Sequence, residues 1–425
     1  MTNNQNQPNK YDAVLGGNAP PPIHGAVLGG IEGVKKRLAS SDIHVQISAL
    51  NDALNYGDLG LDTLINTLKH ESVRIRQYTY KLLQDKEETQ VKQALKDYKF
   101  WTGFEKYYEF PTNHATTFAN REVIEFEPKI GITETANTAY AIRVADWDFA
   151  SKPILSTEKL EILQQNPLAH QIEALVIGFW YTKGLSLIDA FLNASENLTN
   201  LKALCIGDIH DREYYLTENI NISYLLLAYP NLEVIKISFS NFISYTYNKN
   251  RLGLEINSIR HENLKALIIE CEIIDFELIY EIYNLELPTL EYFELWSITN
   301  ENGSTLSRLG IKELMQVFYK IFPKLKYLGI RNCKNNLEDL NHVPFGIVES
   351  SIIENLVELD LSMGSINDEG AEALLNCPSI KNLDTLDVSD NYLSDEMVER
   401  LKQLDIEVIA DRQEPDYLDY ELISF

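Results

Sequence analysis

A six-residue apolar pattern, with leucine or a similar residue at its first, fourth and sixth places, recurs eight times in this chain. It restricts the fold more than any other feature. The copies are Ile172-Glu-Ala-Leu-Val-Ile177, Leu201-Lys-Ala-Leu-Cys-Ile206, Leu232-Glu-Val-Ile-Lys-Ile237, Leu264-Lys-Ala-Leu-Ile-Ile269, Leu290-Glu-Tyr-Phe-Glu-Leu295, Leu325-Lys-Tyr-Leu-Gly-Ile330, Leu356-Val-Glu-Leu-Asp-Leu361 and Leu383-Asp-Thr-Leu-Asp-Val388. Their fourth places fall at 175, 204, 235, 267, 293, 328, 359 and 386, so neighbouring copies are 26 to 35 residues apart. The alternation of the last three places turns one side chain inward and the next outward on a short strand, while the first place enters the core from the preceding turn. One such strand cannot bury its apolar side alone, so a period of this length specifies stacked units that share a continuous core.

Repeats of this pattern are leucine-rich repeats, and nearly 30 residues leave room for a full helix between strands. Stretches 366–375 and 393–401 read as such helices, with Asp or Ser able to cap their starts. The expected fold is an α/β solenoid, a ribonuclease-inhibitor-like horseshoe over residues 140–410. Strands should line its concave face and helices its convex face. Asn391 is expected to tie strand to turn in the closing repeat, and the acidic segment 411–425 to cap the C-terminal edge.

Ahead of the repeats, residues 1–30 form a Gly/Pro-rich strap in which Ala-Val-Leu-Gly-Gly occurs twice, at 13–17 and 26–30. A phosphate loop is not expected there, because Gly29-Gly-Ile-Glu-Gly-Val-Lys35 lacks the hydroxyl residue and the spacing of a Walker motif. Residues 31–97 show helical periodicity, and the segment from Asp42 resembles that from Ser72 at a shift of 30 residues. This is similar to the second helix of HEAT or armadillo repeats and predicts a small all-α module. The aromatic-rich connector 98–139 is expected to pack a domain junction.

The chain has 425 residues and a net charge of −26, from 63 Asp and Glu against 37 Lys and Arg. Residues 1–110 balance at 13 of each sign, so the whole imbalance lies in the remainder, with 50 acidic and 24 basic residues. Such a field repels phosphate backbones, and no nucleic-acid partner is expected. No run of about 18 apolar residues predicts a membrane span. The N-terminus shows no secretory signal, and the four cysteines are 66, 62 and 44 residues apart without a CxxC pair, which predicts a reducing cytoplasm. Eight histidines stand singly, and neither HExxH nor GxSxG occurs, so no metal, cofactor or catalytic residue is expected.

Residues from about 118 to 425 resemble a bacterial leucine-rich-repeat family of uncharacterised function. The resemblance rests on stretches such as Tyr140-Ala-Ile-Arg-Val-Ala-Asp-Trp-Asp148, Leu287-Pro-Thr-Leu-Glu-Tyr-Phe-Glu-Leu-Trp296, Phe322-Pro-Lys-Leu-Lys-Tyr-Leu-Gly-Ile-Arg331 and Asp411-Arg-Gln-Glu-Pro-Asp416. It implies a fold and no established reaction. The strap and helical segment look similar to N-terminal modules of cyanobacterial multidomain proteins.

Function is therefore sought on a surface. Outward strand positions give a concave-face set of Asp208, Glu294, Trp296, Arg331, Asp360 and Asp387, expected to bind a protein with a basic surface. On this reading the chain is a non-enzymatic interaction scaffold. One alternative is an enzyme or cation sensor using neighbouring Asp360 and Asp387. Another is a chain processed or modified at its AVLGG strap.

Overall fold

The computed structural model describes residues 30–70, 72–107, 113–143, 156–178, 186–208, 220–239, 254–297, 306–333 and 341–414. The AVLGG strap before Gly30, Asp146-Trp-Asp148 and residues 415–425 of the acidic tail lie outside them. The chain divides into two units, Met1–Thr102 and Gly103–Phe425.

The first unit is helical: α1 Gly30–Leu38, α2 Ile43–Ala53, α3 Gly57–Thr67, α4 Val73–Leu83 and α5 Thr89–Tyr98. The two similar segments are α2 and α4, each of 11 residues. Asp42 starts α2 by accepting a hydrogen bond from the His44 amide at 2.8 Å. The Gln46 side-chain amide donates to the Leu38 carbonyl at 2.9 Å and so closes the end of α1. Val34, Leu50, Leu64, Ile75, Leu83 and Val91 meet in one core.

The second unit is an α/β solenoid. Among the described residues its main sheet has 12 strands that lie side by side in chain order. They are β1 Thr117–Phe118, β2 Arg121–Glu125, β3 Thr138–Ile142, β4 Ala174–Ile177, β5 Ala203–Ile206, β6 Val234–Phe239, β7 Ala266–Cys271, β8 Tyr292–Ser297, β9 Tyr327–Arg331, β10 Glu358–Asp360, β11 Thr385–Asp387 and β12 Glu407–Ile409. Only β1 and β2 pair antiparallel; every later pair is parallel. All eight motif copies supply strands, β4 to β11, and fourth places stand opposite fourth places, as in Leu267 with Phe293 and Leu359 with Leu386.

Helices α6 Ser156–Gln164, α7 Leu187–Ala194, α8 Ile222–Ala228, α9 Phe276–Ile282, α10 Arg308–Ile321, α11 His342–Val348, α12 Asp368–Asn376 and α13 Asp395–Leu401 return the chain between strands. Six of them begin at a side-chain cap, from Ser186, Asn221, Asp275, Ser307, Asn367 and Ser394, so short polar residues set where these six start. The helices and the inward strand residues form one apolar core from Phe126 to Ala410.

The sheet begins earlier than the motif predicts. Residues 98–139 are not simply a connector: from Gly103 they belong to the second unit, and β1 to β3 extend the sheet before the first motif copy. Strands β1 and β2 lack the pattern because they end the sheet and are only partly buried. At the other end β12 adds one strand beyond the last copy.

Chain reversal after β9, β10 and β11 uses left-handed residues Asn332, Met363 and Asp390, with φ of 49°, 62° and 52°. After β5 the turn needs Gly207, at φ 89°, where a Cβ would stand 2.3 Å from the Ser238 carbonyl oxygen. Asn391 does what its place predicts. Its amide donates to the Leu361, Val388 and Ser389 carbonyls at 3.0 Å each, and its side-chain oxygen accepts from the Ile366 amide at 2.9 Å. Asn391→Ala would strand those buried groups, and we expect a loss of at least about 2 kcal/mol in denaturant unfolding; a smaller loss would mean that the turn re-forms without it.

Candidate functional site

On the sheet face opposite the helices, parallel pairing brings the expected residues together. Glu294 and Asp360 stand on either side of Gly329 in neighbouring strands, Asp360 is opposite Asp387, and Trp296 is opposite Arg331. Gly329 leaves space between the two acids, and the Arg331 guanidinium joins them, 3.1 Å from Glu294 Oε1 and 3.6 Å from Asp360 Oδ2. Its Nε also donates to the Ser362 hydroxyl at 3.1 Å, and its Cζ lies over the Trp296 ring, 5.1 Å from the centre. Tyr292 and Tyr327, at the third places of consecutive repeats, stack at 4.0 Å with an interplanar angle of 10°. Their hydroxyls donate to Glu294 and Asp360 respectively.

These residues are not solvent-facing. Trp296, Arg331, Asp360 and Asp387 are each 1% exposed and Glu294 is 5% exposed. The cover comes from the chain itself, the segment beginning at Gly103. The Phe104 ring meets Tyr292 edge-on at 5.3 Å. The Lys106 ammonium binds Asp360 Oδ2 at 3.0 Å and lies 5.0 Å from the centre of the Tyr327 ring. The Tyr107 carbonyl accepts from Arg331, and Lys236 of β6 approaches the Tyr107 ring.

Asp208 belongs to a second contact with the same segment. It accepts from Arg143 of the turn after β3, whose Nη2 lies at 2.6 Å, and from the Ala115 amide at 3.0 Å, with His114 Nδ1 3.4 Å away. Arg143 also donates to the Ala115 carbonyl at 2.9 Å. Glu105 braces the fold-back by accepting from the hydroxyls of Thr116 and Thr117. Aromatic composition alone did not point to Lys106 or Arg143; what places them is three-dimensional.

The electrostatics follow. Burial would raise the Asp360 carboxyl, but Lys106 and Arg331 overcome it and hold the group well below the usual carboxylate range. Asp387 goes the other way, raised by burial and by the charge of Asp360 beside it. Its oxygen accepts from the Ser389 amide and hydroxyl. In Lys236, burial opposes the charge, yet Glu270 at 2.7 Å keeps the ammonium protonated. The neighbouring Cys205 thiol is pushed up by burial, which disfavours the nucleophilic thiolate. Sequence reasoning did not foresee that buried Cys333 lies beside buried His342, whose Nε2 is 3.8 Å from the sulfur. Among the described residues no group of three or more His, Cys, Asp or Glu side chains is placed to hold a metal ion.

Two outcomes follow from these charges. Asp387 has a folded-state pKa above its unfolded value, so its contribution to stability is complete below about pH 4 and is lost as the pH rises through the folded value. Asp387→Asn keeps the acceptor for Ser389 and removes the repulsion. We expect its melting temperature at neutral pH to equal or exceed that of the parent, with the advantage vanishing near pH 4; a lower neutral-pH value contradicts the account. Arg331→Met would leave Glu294 without its bridging cation and weaken Asp360, costing about 3 kcal/mol or more. Calorimetric unfolding reads this directly, and a near-neutral result would mean the cluster relaxes around the gap.

No protein-family model and no curated protein matches the chain. Among solved structures it is similar to a protein from Bacteroides fragilis, with a TM-score of 0.52 and 26% identity over 65% of this chain and 74% of that one. An internalin from Listeria monocytogenes matches with a TM-score of 0.31 and 19% identity, over 59% of this chain and 57% of its own length. The twelve in-order strands with helices returning between them carry the fold assignment. The repeats have the residue pattern and the in-order parallel strands of leucine-rich repeats.

Proposed function

We propose that this protein is a non-enzymatic scaffold that captures a protein partner with a basic surface through its leucine-rich-repeat unit. The observation that supports this most is that the sheet face opposite the helices holds an extended segment in the manner of a bound peptide. Side-chain pockets take Phe104 and Lys106, and Arg331 takes a main-chain carbonyl. A surface that grips one polypeptide by these means has the chemistry to grip another. The helical unit, read as a HEAT-like module, adds a second recognition surface on this proposal. The acidic excess in residues 111–425 favours basic partners and disfavours nucleic acid and anionic membranes. Among the described residues no helix is long and apolar enough to cross a membrane, and a cytoplasmic setting is part of the proposal.

The test is zero-length carboxyl-to-amine crosslinking of the full chain with what it captures in its native host. Crosslinks are expected from partner lysines to acids on the sheet face or its rim, with capture falling as ionic strength rises. Crosslinks confined to the helical side of the solenoid, or capture indifferent to salt, would overturn the assignment.

A further inference from the structure

The sheet face is not balanced in charge by its own residues. Glu270 has Lys236 at 2.7 Å, and Asp208 has Arg143 at 2.6 Å, one cation for each acid. Across β8 to β10, by contrast, Glu294 and Asp360 both face the one guanidinium of Arg331, and Asp387 stands opposite Asp360 on β11. All three acids are almost fully buried, where an uncompensated charge is costly. Lys106, which comes from outside the sheet, adds a further cation beside Asp360. Asp360 Oδ2, the Tyr327 ring and nearby Asp387 form a pocket for an ammonium group on an extended chain, with Tyr292 placed for an aromatic side chain two residues earlier.

The covering segment fits this surface incompletely. Phe104, Lys106 and Tyr107 are only part-buried and Glu105 is exposed. Between segment and sheet lies a cavity of about 40 Å³ lined by residues that include Glu105, Tyr107, Lys236 and Trp296. The Trp296 indole N–H, fully buried, has no acceptor among the described residues. A buried donor left in this way is a cost that a better-fitting chain with an acceptor at this point would remove.

We propose that this face is a docking site for an extended segment of a partner protein in which an aromatic residue is followed two places later by lysine, and that residues 103–107 are an exchangeable internal competitor for it. This rests on the scaffold reading above and specifies its ligand. Occupation by the internal segment lowers the apparent affinity by the fraction of molecules in which the face is covered.

The probe is a fluorescent synthetic peptide with the sequence of residues 103–118, and its counterpart with alanine in place of the lysine. Each is titrated against the full-length chain, against Phe104→Ala/Lys106→Ala, and against Lys106→Gln, which keeps a donor facing Asp360. The double variant is expected to bind the lysine peptide about tenfold or more tightly than the parent chain does, with Lys106→Gln between them. The alanine peptide should bind weakly throughout. Adding Asp360→Asn to the double variant should make the two peptides bind alike. If the variants melt cooperatively yet bind no better than the parent, or bind both peptides equally, the proposal is overturned. It is equally overturned if neither variant folds, because the segment is then part of the fold. Partner capture by the parent chain is read separately by crosslinking, so the scaffold reading can stand if the exchange fails.

Discussion

Parallel pairing of like with like is the constraint from which the rest of the second unit follows. Adjacent strands are about 4.8 Å apart, and every motif copy enters the sheet in the same register, so each motif place becomes a row. The fourth and sixth places make apolar rows that merge into one core. The same geometry is indifferent to sign on the opposite face, where it aligns Asp360 with Asp387 as strictly as it aligns Leu359 with Leu386. The stacked tyrosines, the bridging arginine and the lysine from outside the sheet each answer this enforced proximity.

The second motif place shows the opposite solution to the same constraint. It alternates in sign from repeat to repeat, and the rows close as ion pairs between Glu173 and Lys202, Glu233 and Lys265, and Glu291 and Lys326. These pairs are partly exposed, so each contributes little to stability. Their value is in register, since a slipped repeat would set like charges opposite one another. The pairing is visible in the sequence once the copies are aligned, and it stops at Val357 and Asp384, the repeats where the acids of the opposite face accumulate.

What was legible in the sequence was whatever the repeat makes periodic. All eight copies are strands, the Asn391 turn is as expected, and Asp360 lies beside Asp387. Three features were hidden for separate reasons. Strands β1 and β2 escape because end strands, covered on fewer sides, do not carry the full apolar pattern. Burial of Trp296 and Arg331 escapes because period-two alternation separates two faces but does not say what covers either. Lys106 escapes because its partner Asp360 is 254 residues away, and a lone lysine among aromatics has no local signature.

The net charge of −26 takes a different meaning from this arrangement. Part of the excess is not displayed to solvent at all: Glu294, Asp360 and Asp387 are enclosed, and their field is met at short range by Arg331 and Lys106. On the proposed docking reading, selection of a basic segment on this face would not be a diffuse attraction, which salt would screen and many partners could satisfy. It is a requirement for one ammonium at one depth, because a buried carboxylate pair rewards a cation only when its geometry is met. On the same proposal the solvent-exposed acids would bring a partner near, while the enclosed acids would decide which side chain is accepted.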